Sequence, residues 1–214
     1  MFSVMLDACV LVPSTLRDVL LEIGTTQAFR PLWSEMIEEE MERAVLRLRD
    51  ERGRDQEELR GYVTRLRRQM NEALPDARVR GWEGALQFVP RMRDANDGHV
   101  VAAALVGRTD VIVTFNLKDF EDERLPGALF SQSPDDFLID LVGLYPRLVL
   151  DALDTIVART GRKGPRWSVD DLLERLEVLA LDDDEEYLTL CARVHPTAMK
   201  ERPPHPHAPD EHIT

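Results

Sequence analysis

The sequence predicts an α/β fold, and two observations carry that prediction. First, short apolar runs typical of buried strands, FSVML (2–6), DVIVTF (110–115) and the weaker ALFSQ (128–132), alternate with longer segments of helical periodicity. Such alternation is typical of βαβ units, which form a mostly parallel sheet. Second, the pattern becomes purely helical near Pro134. We therefore expect a mostly parallel sheet with flanking helices, followed by an all-helical extension.

The segments between the strands are assigned by apolar spacing. ARVRGW (77–82) is a further strand candidate, and helices are predicted at about 13–23, 34–49, 55–73, 94–106, 135–143, 146–160, 168–179 and 183–193. The last 19 residues contain five prolines and are expected to be disordered. The predicted units are an α/β domain over 1–133, a helical extension over 134–195 and a disordered tail over 196–214.

Composition indicates an ordinary globular chain. Of the 214 residues, 43% are hydrophobic and 31% are charged. No apolar run approaches the roughly 18 residues that span a bilayer, so no membrane association is expected. The N-terminal residues reach Asp7 without a basic region, which excludes a typical signal peptide, and two distant cysteines, Cys9 and Cys191, fit a reducing compartment. We therefore expect a cytoplasmic protein.

Charge is unevenly distributed along the chain. A net charge of -13 argues against non-specific binding to nucleic acid. From Arg43 to Arg68, however, nine arginines stand against five acids, a local charge of +4. This basic stretch could hold a phosphate backbone or form a solvated helical hairpin. The acidic segment 169–190 could shield the basic stretch, imitate a nucleic acid or support oligomerisation.

Polar side chains follow two of the predicted strands. Asp7 comes directly after FSVML, Asn116 follows DVIVT closely, and Asp119 lies three residues further. In parallel sheets, ligands gather beyond the carboxyl ends of the strands. Asp7 is therefore a candidate ligand, although a turn or a helix N-cap would also explain it.

One glutamate in SEMIEEEMERAV needs an explanation. At 100° per residue, a buried stripe is predicted for Ile37, Met41, Ala44 and Leu48, while Glu38, Glu39 and Glu42 face away. Glu40 falls on the border of the stripe, where a carboxylate must be paired or bound to a metal. The alternative is a glutamate that leans off the edge and pairs with an arginine such as Arg47.

The stretch DANDGHVVAAAL begins with two aspartates three residues apart. Asp94 is a suitable N-cap and Asp97, at the third helical position, benefits from the helix dipole, so capping explains both locally. Capping does not explain why Asp97 and the three other candidates, Asp7, Glu40 and Asn116, could all converge on one sheet edge. Clustered carboxylates repel each other unless a hard cation lies between them, and oxygen ligands favour Mg²⁺ or Mn²⁺.

Four segments resemble a known family in its own order. They are MLDACVLVPSTLRDVLL, LWSEMIEEEMERAV, DANDGHVVAAAL and DVIVTFNLKDF, and they span about residues 1–133. The chain resembles the PIN-domain ribonucleases, particularly the bacterial VapC-type toxins of toxin–antitoxin pairs. SPDDFLIDLV is similar to a subgroup with a helical C-terminal extension.

The resemblance implies a three-layer α/β/α domain and an acidic site that binds Mg²⁺ or Mn²⁺. The family's acids correspond to Asp7, Glu40 and Asp97, and Thr114 corresponds to its small hydroxyl residue. The fourth acid corresponds to Asn116, where an amide replaces a carboxylate and weakens a second metal position. Asp119 can compensate directly or through water.

The implied activity is metal-dependent endoribonucleolytic cleavage, with RNA as substrate and a small antitoxin as partner. Arg43 and Arg47 in the basic stretch, and Arg17 in the first long helix, are candidate RNA contacts. A homodimer is compatible with this interpretation. The alternative is a catalytically weakened PIN-like module that binds RNA or a protein without cleavage. An aspartate-phosphorylated haloacid-type domain is disfavoured because Cys9 stands where its second aspartate is needed.

Overall fold

The described part of the chain contains one parallel sheet of five strands. The computed structural model describes residues 1–50, 55–162 and 164–180. The strand order is β3-β2-β1-β4-β5, and every neighbouring pair is parallel. The strands are β1 (Ser3–Leu6), β2 (Arg30–Ser34), β3 (Arg78–Val79), β4 (Val111–Val113) and β5 (Phe130–Gln132). The predicted α/β class with a mostly parallel sheet is confirmed.

Helices flank this sheet and then continue alone. In chain order they are α1 (Ala8–Leu11), α2 (Ser14–Thr25), α3 (Glu35–Asp50), α4 (Gln56–Ala73), α5 (Gly98–Gly107), α6 (Pro134–Leu144), α7 (Pro146–Arg159) and α8 (Val169–Ala180). Short 3₁₀ segments occupy Glu83–Phe88, Ala95–Asp97 and Asp122–Arg124. The helix predicted at 183–193 and the tail 196–214 lie outside the described residues.

Strand β2 is the element that the sequence pattern does not reveal. It begins with Arg30 and Pro31, and proline is unusual inside a sheet because it cannot donate a backbone hydrogen bond. The strand nevertheless lies between β1 and β3. Its proline packs against α2, where a Cβ on Gly24 would lie only 2.8 Å from Pro31 Cγ. A glycine is therefore needed at this close contact between helix and strand.

The parallel register places the carboxyl ends of the strands along one edge. Met5 in β1 is aligned with Leu32 in β2 and with Ile112 in β4. Asp7 follows the end of β1, and Thr114 follows the end of β4 on the neighbouring strand. The two residues are 107 positions apart in the chain but adjacent at this edge.

The C-terminal helices share the core of the sheet domain. Phe137 on α6 makes an edge contact with Phe29, with ring centroids 5.0 Å apart, and also contacts Phe2. Helix α7 packs on α2, where Arg159 forms a 2.7 Å ion pair with Glu22. The division of the chain at residue 133 stays a prediction. None of the helices in the described part of the chain is long and apolar enough to cross a membrane.

Candidate functional site

Asp7 is fixed at the end of β1 by three donors. Its Oδ1 accepts the amide of Ala8 at 2.6 Å, which makes it the N-cap of α1. Its Oδ2 accepts the Thr114 hydroxyl at 2.7 Å and the Cys9 thiol at 3.1 Å. The capping alternative is thus correct for one oxygen, while the other oxygen is also oriented by Thr114, which follows β4 and does not belong to the helix end.

Cys9 is a part of this arrangement that the sequence did not indicate. Burial, together with the negative charge of Asp7, raises the pKa of the thiol far above its ordinary value, so the group is neutral. A neutral thiol donates to Asp7 and does not compete as a thiolate ligand. The sulfur also accepts the amide of Phe115 at 3.3 Å, which ties α1 to the chain beyond β4.

Asp97 is not explained by helix capping. The residue ends a 3₁₀ turn directly before α5, and the cap of that turn is Asp94, whose carboxylate accepts the Asn96 amide at 2.9 Å. Asp97 makes no side-chain cap bond, and its Oδ2 is buried without a hydrogen-bond partner. Buried polar atoms are rarely left without a partner, so this oxygen points to a missing ligand.

The surroundings of Asp97 make its negative charge unfavourable. Burial raises the pKa of Asp97 to about 6, and repulsion from Asp7, Asp94 and Asp119 contributes in the same direction. Only His99 acts against this shift. Asp7 and Asp119 therefore each act electrostatically on Asp97, as expected if the three carboxylates face a common volume.

Asn116 and Asp119 form a pair at the edge of this volume. The Asn116 amide group donates to Asp119 Oδ2 at 2.6 Å, and the Asn116 backbone amide donates to the Thr114 hydroxyl oxygen at 3.0 Å. Arg93 lies 3.6 Å from the other oxygen of Asp119. An aspartate at position 116 would repel Asp119, whereas the asparagine binds it.

Glu40 approaches the site through a histidine. Its Oε1 lies 3.1 Å from His99 Nε2 and 3.8 Å from Arg43, and its side chain is 30% exposed. The pairing with Arg47 considered from the sequence is replaced by these contacts. His99 is buried and packs against Trp82, with ring centroids 5.9 Å apart.

The predicted orientation of α3 is wrong for Glu38 and Leu48. Glu38, expected to face away, is 1% exposed, whereas Leu48, expected in the stripe, is 43% exposed. The buried face of the helix passes through Ile37, Met41 and Val45, and is therefore turned towards Glu38. Helix α4 packs against α3 and covers that side.

Helix α4 also supplies the partners that allow a buried carboxylate. Glu38 Oε2 accepts from Arg67 at 2.9 Å, and its Oε1 accepts from Asn71 and from the Trp33 indole, both at 2.8 Å. Arg78 on β3 lies 3.6 Å away. These partners come from distant parts of the chain, so the helical angle alone could not reveal the network.

Among the candidate RNA contacts, Arg17 is not accessible. It is 2% exposed, and its guanidinium donates to the carbonyl oxygen of Leu11 at 3.0 Å. The expectation that it contacts phosphate is therefore wrong, because the residue belongs to the buried face of α2. Arg43 and Arg47 on α3 are exposed, while part of the basic stretch, 51–54, lies outside the described residues.

The predicted ligands differ in how directly they interact with one another in the structure. Asp7 and Thr114 are in contact, and Asp7 and Asp119 each act electrostatically on Asp97. Within the described ranges, no group of three or more His, Cys, Asp or Glu side chains is already arranged around a metal position. The partnerless oxygen of Asp97 and the repulsion of Asp97 by Asp7 and Asp119 nevertheless fit a hard divalent cation bound by oxygen ligands.

Comparison with known proteins identifies the family. The PIN domain family matches residues 3–118, more than half of the chain. The chain belongs to the PIN domain family. A second match, to the VapC50 C-terminal domain, covers residues 134–181, so the resemblance to VapC-type PIN proteins with a helical extension is confirmed.

One relative of this PIN protein is a protein of Mycobacterium tuberculosis (strain H37Rv) named "Putative ribonuclease VapC50". The two are 52% identical over 50 residues, which is 23% of this chain and 30% of the relative. The match thus spans less than a third of the relative's length. No solved structure matches the chain significantly.

Proposed function

We propose that the protein is a metal-dependent endoribonuclease and the toxin of a toxin–antitoxin pair, acting in the cytoplasm. The observation that carries the proposal is the buried, partnerless Asp97 oxygen, which interacts with Asp7 and Asp119 at the carboxyl edge of a PIN-domain sheet. The printed name of the VapC50 relative, a ribonuclease, supports this activity. A small cognate antitoxin is the expected protein partner.

The chain's own residues have distinct roles in such a site. The residues that would hold Mg²⁺ or Mn²⁺ are Asp7, Asp97 and Asn116, with Asp119 hydrogen-bonded to the Asn116 amide. Glu40 would be a further ligand, and its carboxylate contacts His99, two residues after Asp97. The Thr114 hydroxyl and the Cys9 thiol keep Asp7 in one orientation. A bound divalent cation would activate water for in-line attack on the phosphodiester and stabilise the leaving oxygen.

The test is cleavage of RNA by the purified chain with and without Mg²⁺. Asp7→Asn and Asp97→Asn should each abolish Mg²⁺-dependent cleavage, because each removes a negatively charged ligand. Asp110→Asn is the matched control: Asp110 lies at the amino end of β4, on the opposite sheet edge, and its carboxylate accepts the Ser3 amide at 2.8 Å. Cleavage that persists in both site variants would reject the proposed site.

A second candidate function is a PIN module that binds RNA or a protein without cleaving RNA. Its support is the neutral Asn116, which stands at the position of the family's fourth acid and donates a hydrogen bond to Asp119. This candidate predicts RNA binding that survives chelation of metal, with no cleavage product even at high Mn²⁺. A chelation-sensitive product in the wild-type chain would exclude it.

A further inference from the structure

An exposed aromatic residue stands next to the proposed site without a structural role. Phe88, at the end of the 3₁₀ segment Glu83–Phe88, is 69% exposed. The segment around it is well anchored, because Trp82, Ala85 and Met92 are buried in the core. Single exposed apolar side chains are common on protein surfaces, but among the described residues Phe88 is the most exposed large hydrophobic side chain after Met1, and it stands on this anchored segment.

Two exposed arginines follow Phe88 in the chain. Arg91 and Arg93 are exposed and the intervening Met92 is buried, which is the alternation of an extended segment. Arg93 Nε lies 3.6 Å from Asp119 Oδ1, so the second arginine reaches the acidic site itself. We call Phe88, Arg91 and Arg93 the aromatic–arginine rim.

The 3₁₀ segment that carries Phe88 packs against the beginning of α5, directly after Asp97. A Cβ on Gly98 would be 3.8 Å from Val89 Cγ1 and 3.9 Å from Leu86 Cδ2, the residues on either side of Gln87–Phe88. Gly98 is the residue after Asp97. The segment that carries Phe88 is therefore adjacent to Asp97, and Arg93 contacts Asp119, so the rim borders the acidic site.

We propose that the aromatic–arginine rim is a subsite for single-stranded RNA, in which a base next to the cleaved nucleotide stacks on Phe88 and its phosphate binds Arg91. Aromatic faces combined with arginines are how proteins hold single strands, since every base offers a face for stacking. In a duplex both faces of an internal base are covered, so Phe88 selects an unpaired segment. The inference rests on the proposed function, because it assigns RNA to the acidic site.

The first test is direct binding of a short single-stranded RNA, measured in the cleavage-deficient Asp97→Asn background. Phe88→Ala should weaken binding by about 5- to 100-fold, as for loss of one stacked base. Phe130→Ala is the matched control, because Phe130 is 42% exposed but lies at the amino end of β5, away from the site. Affinity for a duplex of the same sequence should not depend on Phe88.

A spectroscopic test does not depend on affinity. Phe88→Trp adds an exposed tryptophan to a chain whose Trp33 and Trp82 are buried and whose third tryptophan, the half-buried Trp167, is covered by Arg175. Stacking of a base should quench the fluorescence of this new residue when single-stranded RNA is added. An oligonucleotide without a base at the stacked position should bind without that quenching.

The proposed contact between Arg91 and an RNA phosphate is tested by the salt dependence of RNA binding. Arg91→Ala should reduce the slope of log K against log salt concentration by about 0.7, as for loss of one phosphate contact to a single strand. Arg30→Ala is the control, because Arg30 is exposed at the amino end of β2.

The outcomes separate this inference from the proposed function. Unchanged RNA affinity in Phe88→Ala, or unquenched fluorescence in Phe88→Trp, would overturn the rim, even if the wild-type chain cleaves RNA, and would leave Phe88 as a contact for a protein partner. Phe88-dependent binding in a chain that never cleaves RNA would support the rim while the nuclease proposal fails.

Discussion

Replacing Asp97 by asparagine should stabilise the metal-free fold at neutral pH, although it removes a proposed ligand. The raised pKa of Asp97, about 6 against an ordinary value of 3.8, means that the folded protein disfavours the charged form. The difference corresponds to at most about 3 kcal/mol. Because the carboxyl group is only partly buried, solvent screening should reduce the gain to about 1–2 kcal/mol.

The sign of this effect fixes its pH dependence. Since the pKa is higher in the folded state, the wild-type chain keeps its full stability below about pH 4 and loses part of it as pH rises to about 6. The asparagine variant does not titrate at this position. The stability difference between variant and wild type should therefore be small at pH 4, grow between pH 4 and 6, and be constant above about pH 7.

Urea unfolding in EDTA, followed by tryptophan fluorescence, measures this difference at each pH. Asp110→Asn should show no comparable change across the same window, because it lies at the opposite sheet edge. Adding Mg²⁺ should stabilise the wild-type chain more than the Asp97→Asn variant, since binding to the folded state adds to its stability. A variant that is equally or less stable at pH 8, or a difference that does not vary with pH, would refute the reasoning.

Three further predictions concern the surroundings of the site. Arg67→Met should lower the free energy of unfolding by about 2–3 kcal/mol in urea, because the buried Glu38 then loses its closest ion-pair partner. The control Arg68→Met, which breaks an exposed ion pair with Glu72, should lower it by less than about 0.5 kcal/mol. Asn116→Asp should break the hydrogen bond to Asp119 and strengthen Mn²⁺ binding in calorimetry, and an unchanged affinity would remove position 116 from the ligand set. Arg47→Ala should lower the salt dependence of RNA binding by a slope of about 0.7, and an unchanged slope would indicate a solvated helix surface.

The sequence predicted those features of the fold and of the site that depend on the local apolar pattern and on the order of the strands. Asp7 and Thr114 come together because two apolar runs are long enough to be neighbouring parallel strands and their carboxyl ends share an edge. Strand β2 was missed because its arginine and proline obscure the apolar pattern. Its place is decided by β1 and β3, which pair with it from both sides.

The orientation of α3 shows what the local pattern leaves open. An angular argument assumes that the apolar side chains alone define the buried face, and on that assumption Glu38 points to solvent. Helix α4 instead covers the Glu38 side of α3, and Arg67 with Asn71 compensates the buried charge. Which of the two glutamates, Glu38 or Glu40, is buried is therefore decided by polar partners that lie 29 and 33 residues from Glu38 along the chain.

The same logic distinguishes the two carboxylates by what surrounds them. Glu38 is buried and fully hydrogen-bonded, so it stabilises the α3–α4 packing and has no unsatisfied oxygen to offer a ligand. Asp97 is less buried, yet its Oδ2 has no partner and its charge is opposed by neighbouring acids. A carboxylate kept in an unfavourable setting is explained by binding and not by folding, which is why Asp97, and not the more deeply buried Glu38, is expected to bind the metal ion.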